Sequence, residues 1–240
     1  MYYEIIGKEN VKTVVLLHGW GADSSVFRGV VSLFPKNNWR YLLIDFAGFG
    51  KSPEPDIPYS VGDYAEEVVE LLKTLEIKSA IFIGHSFGGR VSIALASRHS
   101  ELVEKLVLVD SAGLIMNRGI RYKIRVWKYK MKKFCVKKGI LKGDLKSAGS
   151  ADYKSLNSDI MRQTFVKVVN EDLLKDAKNI TVRTVLVWGS LDKDTPIKMA
   201  RKFKRSITNS VLYVLDGAGH YSFLDKTEDF VYILYDNIFI

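Results

Sequence analysis

The amino-acid sequence predicts an α/β protein: a mostly parallel, twisted sheet with helices on both faces and a small helical insertion. Short runs rich in valine, leucine and isoleucine alternate with stretches of helical periodicity, first up to about residue 110 and again after residue 181. These runs are apolar at consecutive positions, which is typical of parallel strands that are buried on both faces. Between the two alternating regions the strand pattern is absent, which predicts the insertion.

Composition indicates an ordinary globular protein. The chain has 240 residues, of which 47% are hydrophobic and 26% are charged, and this balance excludes intrinsic disorder. The single cysteine, Cys135, excludes an internal disulfide bond and fits a reducing compartment. No apolar run approaches the roughly 18 residues of a membrane span, and the first residues lack the pattern of a signal peptide. We therefore expect a cytoplasmic protein without a transmembrane segment.

The first alternating region predicts three helices among its strands. One begins at Ser24 or Ser25 and ends near Phe34, because Pro35 stops it. The second has Ser60 as a plausible N-cap, and the third covers 88–97. Apolar residues of the second helix recur at spacings of three or four, at Tyr64, Val68, Leu71, Leu72 and Leu75. The predicted strands are 2–7, 13–17, 40–44, 80–83 and 102–109.

The insertion carries two helical patterns. We assign 1–113 and 181–240 to one α/β core, and 114–180 to a helical cap, or lid. The first cap pattern consists of Ile120, Ile124, Trp127, Met131 and Phe134, and the second of Ile160, Met161, Thr164, Phe165, Val168 and Val169. After the cap, the sequence predicts strands at 184–188 and 211–215 and helices near 197–205 and 227–238.

A glycine-flanked serine lies between a predicted strand and a predicted helix. Gly84-His85-Ser86-Phe87-Gly88 has the G-x-S-x-G pattern of a nucleophile elbow. Gly84 and Gly88 stand where a Cβ would collide with the facing backbone. The turn is expected to lift the Ser86 hydroxyl out of the sheet, so Ser86 is the predicted catalytic nucleophile.

A serine hydroxyl needs a base within hydrogen-bond reach. His220 is the best candidate, because it follows a predicted strand in a glycine-rich loop. Of the other histidines, His18 lies in the first turn, His85 is beside the serine and points off the elbow, and His99 falls at a polar helix end.

The base in turn needs a carboxylate that fixes its tautomer. Three aspartates lie at or near strand ends and remain alternatives, ranked Asp192, Asp194 and Asp110. Backbone N–H groups of Phe87 and Trp20 are the expected donors of an oxyanion hole. No cluster of cysteine and histidine has metal-ligand spacing, so neither a metal nor another cofactor is expected. The predicted substrate-binding residues are His18, Trp127, Met131, Phe165 and Tyr221.

Four sequence blocks together resemble the α/β-hydrolase superfamily, in its small, capped, serine esterase-like branch. They are His18-Gly19-Trp20-Gly21, Asp45 with Gly48-x-Gly50-x-Ser52, the elbow with Gly89, and Gly189-x-x-Asp192-x-x-x-Pro196 with Gly217-x-Gly219-His220. The first block is also similar to that of the pimeloyl-carrier-protein methyl ester esterases of biotin synthesis. The resemblance implies Asp192 as the acid, a lid at 114–180, and the chain order Ser, Asp, His.

The function that this resemblance implies is hydrolysis of a small carboxylic ester by a Ser-His-Asp triad through an acyl-enzyme. One alternative is C–C bond hydrolysis of dienoic diketo acids, which uses the same triad and needs a cation for the substrate carboxylate. The cations available for it are Arg90, Arg118, Arg121 and Arg162. An esterase directed to acyl-carrier thioesters and a non-catalytic binding protein are further alternatives.

The net charge of +9 is concentrated in one segment of the predicted lid. Residues 118–146 contain 12 lysines and arginines and one acid, Asp144, whereas the rest of the chain is slightly acidic. The favoured interpretation is a lid helix that buries the first cap pattern over the pocket and leaves its lysines in water. The alternative is a docking surface for an acyl carrier protein or a lipid surface. The segment lacks a nucleic-acid-binding pattern, so no nucleic acid partner is expected.

Overall fold

The computed structural model describes residues 1–116 and 151–239, together with the single positions 124, 127, 131, 134, 136 and 138. Its strands are β1 (Tyr2–Ile6), β2 (Lys12–Leu17), β3 (Trp39–Asp45), β4 (Ala80–His85), β5 (Val103–Val109), β6 (Arg183–Gly189) and β7 (Ser210–Leu215). They form one seven-stranded sheet in the order β1-β3-β2-β4-β5-β6-β7. Every neighbouring pair is parallel except β1 with β3, which is antiparallel. The predicted, mostly parallel sheet is therefore confirmed, with one antiparallel edge strand.

Most helices of the α/β core lie close to their predicted positions, whereas the short helix Ser222–Asp225 was not predicted. They are α1 (Arg28–Val31), α2 (Val61–Thr74) and α3 (Phe87–Arg98) before the insertion, and α7 (Ile197–Ser206), α8 (Ser222–Asp225) and α9 (Thr227–Leu234) after it. Ser60 caps α2 as predicted and forms a capping box with Asp63. The first predicted helix is shorter than expected, because a 3₁₀ turn occupies Ser24–Phe27 and α1 ends at Val31. The last one continues beyond α9 as a π-helical turn, Tyr235–Phe239.

The sheet carries a hydrophobic core on each face. One cluster joins the sheet to α2, α3 and α7, and the other joins it to α1 and α9. The inner strands β2, β4, β5 and β6 contribute side chains to both clusters. Burial on both faces explains why these strands are apolar at consecutive positions. The carboxyl ends of the parallel strands therefore share one edge of a rigid layer.

In the described stretch from residue 151 to β6, the chain forms three helices: α4 (Ala151–Ser155), α5 (Asp159–Asn170) and α6 (Leu174–Asn179). The second cap pattern forms α5, whose buried residues are Met161, Thr164 and Val168. Between β5 and β6 the described residues form no strand, as expected. The division of the chain into a core and a cap stays a prediction.

The first cap pattern differs from its prediction. The described positions 124, 127, 131 and 134 are helical, but all four side chains are exposed instead of buried over a pocket. Burial at these positions was therefore predicted wrongly, because helical periodicity identifies a shared face without identifying what covers it. Ile120 and Cys135 lie outside the described residues, as do Arg118 and Arg121. Within the described part of the chain, no helix is long and apolar enough to cross a membrane.

Candidate active site

Ser86 lies at a sharp turn between β4 and α3. Its backbone has φ 51° and ψ −108°, outside the regions that a strand or helix uses. The strained turn is held on both sides: the Ser86 N–H donates to the Val109 carbonyl at 3.1 Å, and the Ser86 carbonyl accepts from the N–H groups of Gly89 at 3.1 Å and Ala112 at 3.0 Å. These bonds position Ser86 above the carboxyl edge of the sheet.

The elbow glycines are required by close backbone approaches, as predicted. A Cβ on Gly88 would lie 2.0 Å from the carbonyl oxygen of Leu17. A Cβ on Gly84 would lie 2.6 Å from the carbonyl oxygen of Gly88. Both atoms belong to backbone that cannot move without displacing β2 or α3. The two glycines therefore allow the tight turn that exposes the serine side chain.

Substituting Gly88 by alanine is expected to destabilise the fold, because β2 and α3 must separate to admit the methyl group. Such overpacking costs about 1–3 kcal/mol or more. The free energy of unfolding in urea measures the effect. Gly29→Ala is the matched control, since a Cβ there meets no atom within 4 Å and the backbone is already helical. Equal stability of Gly88→Ala and wild type would contradict this account of the elbow.

A chain of hydrogen bonds joins Ser86, His220 and Asp192. The Ser86 Oγ lies 3.0 Å from His220 Nε2, and His220 Nδ1 lies 2.9 Å from Asp192 Oδ2. The carboxylate only accepts, so Nδ1 carries a proton in the neutral ring and Nε2 is free to accept the serine proton. The structure thus brings together the predicted nucleophile, the predicted base and the first-ranked acid from the ends of β4, β7 and β6.

The pKa of His220 is set by opposing influences. Burial favours the neutral imidazole, but the hydrogen bond and negative charge of Asp192 outweigh burial and raise the pKa of His220 above its ordinary value of 6.5. For Asp192, burial favours the neutral acid, and hydrogen bonds from His220 and Thr195 outweigh it, so the pKa of Asp192 lies below its ordinary value. Relative to water, the site therefore favours the charged imidazolium form of His220 over the neutral imidazole.

Thr195 fixes Asp192 and was missed by sequence reasoning. Asp192 Oδ1 accepts the N–H groups of Asp194 at 2.8 Å and Thr195 at 3.0 Å. The Thr195 hydroxyl lies 2.5 Å from Asp192 Oδ2 and 3.5 Å from His220 Nδ1. Asp194 is exposed and contributes this backbone N–H, whereas Asp192 makes the hydrogen bond to His220. The spacing of Thr195 from Asp192, three residues along a turn, was the available signal.

Asp110, the third candidate acid, links the two loops behind the triad. Its carboxylate accepts the N–H of Gly189 at 2.8 Å through Oδ1 and the N–H of Ser222 at 3.0 Å through Oδ2. The first loop leads to Asp192 and the second follows His220, so one fully buried side chain ties the positions of both. Burial, only partly offset by these hydrogen bonds, raises the pKa of Asp110 to about 7.

Replacing Asp110 by asparagine is expected to have a pH-dependent effect on stability. A carboxyl whose folded-state pKa is raised from 3.8 to about 7 contributes stability below the lower value and loses it as pH rises through the upper one. Between pH 4 and pH 7.5, wild type should therefore lose about 1–4 kcal/mol more of its free energy of unfolding than Asp110→Asn loses, at about 1.4 kcal/mol per pKa unit. Urea unfolding at both pH values measures this change. Exposed Asp229 supplies the control Asp229→Asn, and a pH-independent difference for Asp110→Asn would refute the linkage.

Two other histidines support the site with neutral rings. His85 Nε2 donates to the His220 carbonyl at 2.8 Å, and its ring packs on Tyr221 with centroids 4.8 Å apart. Burial lowers the pKa of His85 to about 3. His18 Nδ1 donates to the Gly19 carbonyl at 2.7 Å and Nε2 accepts the Phe46 N–H at 3.1 Å. Since its side chain is fully buried, His18 shapes the first turn and offers no ring nitrogen to a substrate in this conformation.

The two predicted oxyanion donors are Phe87, which follows Ser86 in the chain, and Trp20, whose ring contacts Phe87. Phe87 is the first residue of α3, so its N–H has no partner within the helix. In the described part of the chain, neither the Phe87 nor the Trp20 N–H donates to a backbone oxygen. The Trp20 ring packs against Phe87 and against Phe165 of α5, with centroids 5.2 Å apart in both pairs. Trp20 therefore links the elbow to α5 of the insertion through aromatic contacts.

The other predicted substrate-binding residues are more exposed. Tyr221 is 38% exposed, and Trp127 and Met131 are 61% and 44% exposed. Tyr221 neighbours the base in sequence and packs on His85, whereas Trp127 and Met131 lie on the exposed helical face of the insertion. The role of all five pocket candidates stays a prediction.

One group of described residues has potential metal ligands close together: Asp192, Asp194 and His220, whose ligand atoms lie within 4.8 Å of one another. The proton on His220 Nδ1 is donated to Asp192, and a protonated nitrogen has no lone pair for a metal. A metal bound through Nδ1 would therefore have to break the Asp192–His220 hydrogen bond. This chemistry favours an acid–base pair over a metal site.

Comparisons of the sequence and of the structure both match hydrolases. A family model described as "alpha/beta hydrolase fold" matches residues 12–134. The AB hydrolase superfamily protein YisY of Bacillus subtilis is 27% identical over 95% of this chain and 91% of its own length. The 2-hydroxy-6-oxo-6-(2'-aminophenyl)hexa-2,4-dienoic acid hydrolase of Metapseudomonas resinovorans is 27% identical over 90% of this chain and 80% of its own. Among solved structures, the esterase EaEST of Exiguobacterium antarcticum has a TM-score of 0.76 at 25% identity, covering 98% of this chain and 94% of that one.

Proposed function

Since the chain belongs to the α/β-hydrolase family, we propose that it is a serine hydrolase that cleaves small carboxylic esters through an acyl-enzyme. The main support for the proposal is the pair of hydrogen bonds that joins the triad: Ser86 Oγ to His220 Nε2 at 3.0 Å, and His220 Nδ1 to Asp192 Oδ2 at 2.9 Å. Such distances allow proton transfer from the serine without rearrangement. Likeness to an esterase over nearly the whole chain supports the same reaction.

In the proposed mechanism, the Ser86 oxygen attacks the ester carbonyl carbon while His220 Nε2 accepts the serine proton. The carbonyl oxygen becomes an oxyanion, which the N–H groups of Phe87 and Trp20 stabilise. Cleavage of the carbon–oxygen bond follows, and His220 donates its proton to the departing alcohol. Water, deprotonated by His220, then attacks the acyl-enzyme and releases the carboxylic acid and Ser86. Throughout, Asp192 orients the imidazole and stabilises its charged form.

The second candidate is hydrolysis of a C–C bond in a dienoic diketo acid, which the name of one relative favours. That reaction needs a cation for the substrate carboxylate. Arg90 is buried and donates to the Glu171 carbonyl at 2.9 Å. Arg162 is paired with Asp159 at 2.7 Å and also bonds the Leu156 carbonyl. Both described candidates thus contact groups of the protein, and Arg118 and Arg121 lie outside the described residues.

The proposal is tested by turnover of purified protein on p-nitrophenyl acetate, p-nitrophenyl butyrate and a chromogenic dienoic diketo acid. A fluorophosphonate probe followed by peptide mass spectrometry identifies the nucleophile. We expect turnover of at least one ester and labelling at Ser86. Selective turnover of the diketo acid would replace ester hydrolysis by the second candidate. Inertness toward every substrate, with no label on Ser86, would contradict the proposed ester hydrolysis.

A further inference from the structure

An apolar stripe lies exposed on the insertion. We call Ile124, Trp127, Met131 and Phe134 the exposed stripe; their side chains are 48%, 61%, 44% and 55% exposed. Their spacings of three and four residues place them on one helical face. None of them belongs to either hydrophobic core cluster of the described residues. Four large apolar side chains on one exposed face are typical of an interaction surface.

The segment that carries the exposed stripe is strongly basic. Between residues 118 and 146 there are 12 lysines and arginines and one acid. Among the described positions, the Lys138 ammonium lies 5.8 Å above the Phe134 ring, so positive charge adjoins the stripe directly. A partner for this surface must accept apolar side chains and also supply negative charge.

We infer that the exposed stripe, together with Lys138, forms a docking surface for an anionic lipid membrane. Trp127 and Phe134 on one exposed face, in a stretch of sequence rich in lysine and arginine, match the chemistry of the membrane interface, where rings and aliphatic side chains enter below the headgroups. Lysines and arginines near the surface are attracted by anionic headgroups. An acidic protein with an apolar patch is the competing occupant, and the experiment below separates it from lipid.

Vesicle binding by the 240-residue protein tests this inference. Sedimentation compares phosphatidylcholine vesicles with vesicles that contain phosphatidylglycerol, at low salt and at 0.5 M salt. Trp127 provides a second readout, because it is the exposed tryptophan while Trp39 and Trp188 are buried and Trp20 is half-buried. We expect binding to anionic vesicles and a blue shift of the tryptophan emission. The blue shift should be absent in Trp127→Phe.

The variant Ile124→Ser/Phe134→Ser separates insertion from simple charge attraction. It should bind anionic vesicles about tenfold or more weakly, because two side chains no longer enter the interface. Leu33→Ser removes an equally exposed apolar residue elsewhere and should bind as wild type does. Melting temperatures of all variants establish that each is folded.

Three outcomes would overturn the inference. The first is absence of binding to anionic vesicles by the folded wild type. The second is equal affinity of wild type and Ile124→Ser/Phe134→Ser. The third is salt-sensitive binding to an acidic carrier protein in preference to anionic vesicles, which would assign the surface to a protein partner. Ester hydrolysis is measured separately on soluble substrates, so none of these outcomes bears on the proposed reaction.

Discussion

Replacing Ser86 by alanine is expected to lower kcat for ester hydrolysis by roughly 10⁶, because removal of the nucleophile of a triad abolishes nearly all of its joint contribution. The fold should survive. The Ser86 hydroxyl bonds His220, whereas the elbow itself is held by the serine backbone through Val109, Gly89 and Ala112. Alanine at the same positive φ carries the same Cβ as serine, so little additional strain arises.

The measurement is p-nitrophenyl butyrate hydrolysis together with the free energy of unfolding. Ser206→Ala is a suitable control, since its hydroxyl bonds a carbonyl within α7, away from the elbow. It should retain wild-type kcat. An active, folded Ser86→Ala enzyme, or a fluorophosphonate label that persists on it, would place the nucleophile elsewhere.

The strand-end positions of the site were predictable because a parallel sheet has a simple geometry. Consecutive apolar runs mark strands that are buried on both faces, and the carboxyl ends of such strands share one edge. Ser86, Asp192 and His220 each follow a different run, so the topology alone brings their backbones to one region. The glycines at 84 and 88 indicated in addition where the chain turns most sharply.

Contacts between loops were less accessible from the sequence. Asp192 and Asp194 both follow β6, and only the turn closed by Thr195 determines which carboxylate reaches His220. Asp110 was a candidate acid because it follows β5, yet its oxygens accept N–H groups more than 70 residues away along the chain. Such pairings depend on loop conformation, which has no periodic signal.

Exposure was also inaccessible from the sequence. The same periodicity describes α5, whose apolar face is buried against the core, and the exposed stripe of residues 124–134. A helical pattern reports which side chains share a face, whereas burial depends on the neighbouring element. His18 is a related case, because the structure bonds both of its ring nitrogens to backbone groups, and its place in a glycine-rich turn does not indicate those partners.

Substitution of Asp192 by asparagine is expected to lower kcat/KM by roughly 10⁴, because the amide no longer fixes the productive tautomer of His220. The pH profile of the residual activity should change as well. His220 must be neutral to accept the serine proton, so activity of the wild type rises with pH through the pKa of His220, which Asp192 holds above 6.5. Loss of the carboxylate removes that stabilisation of the imidazolium, and burial then lowers the pKa. The acidic limb should therefore move to lower pH.

Asp194→Asn is the matched control because it changes the neighbouring carboxylate and keeps the backbone N–H that Asp192 accepts. Its kcat/KM and acidic limb should stay close to those of wild type, apart from a small electrostatic shift. Profiles of kcat/KM from pH 5 to pH 9 distinguish the two variants. A large loss in Asp194→Asn with little change in Asp192→Asn would reverse the assignment of the acid. A loss of kcat/KM in Asp192→Asn without movement of the acidic limb would mean that Asp192 orients His220 but does not raise its pKa.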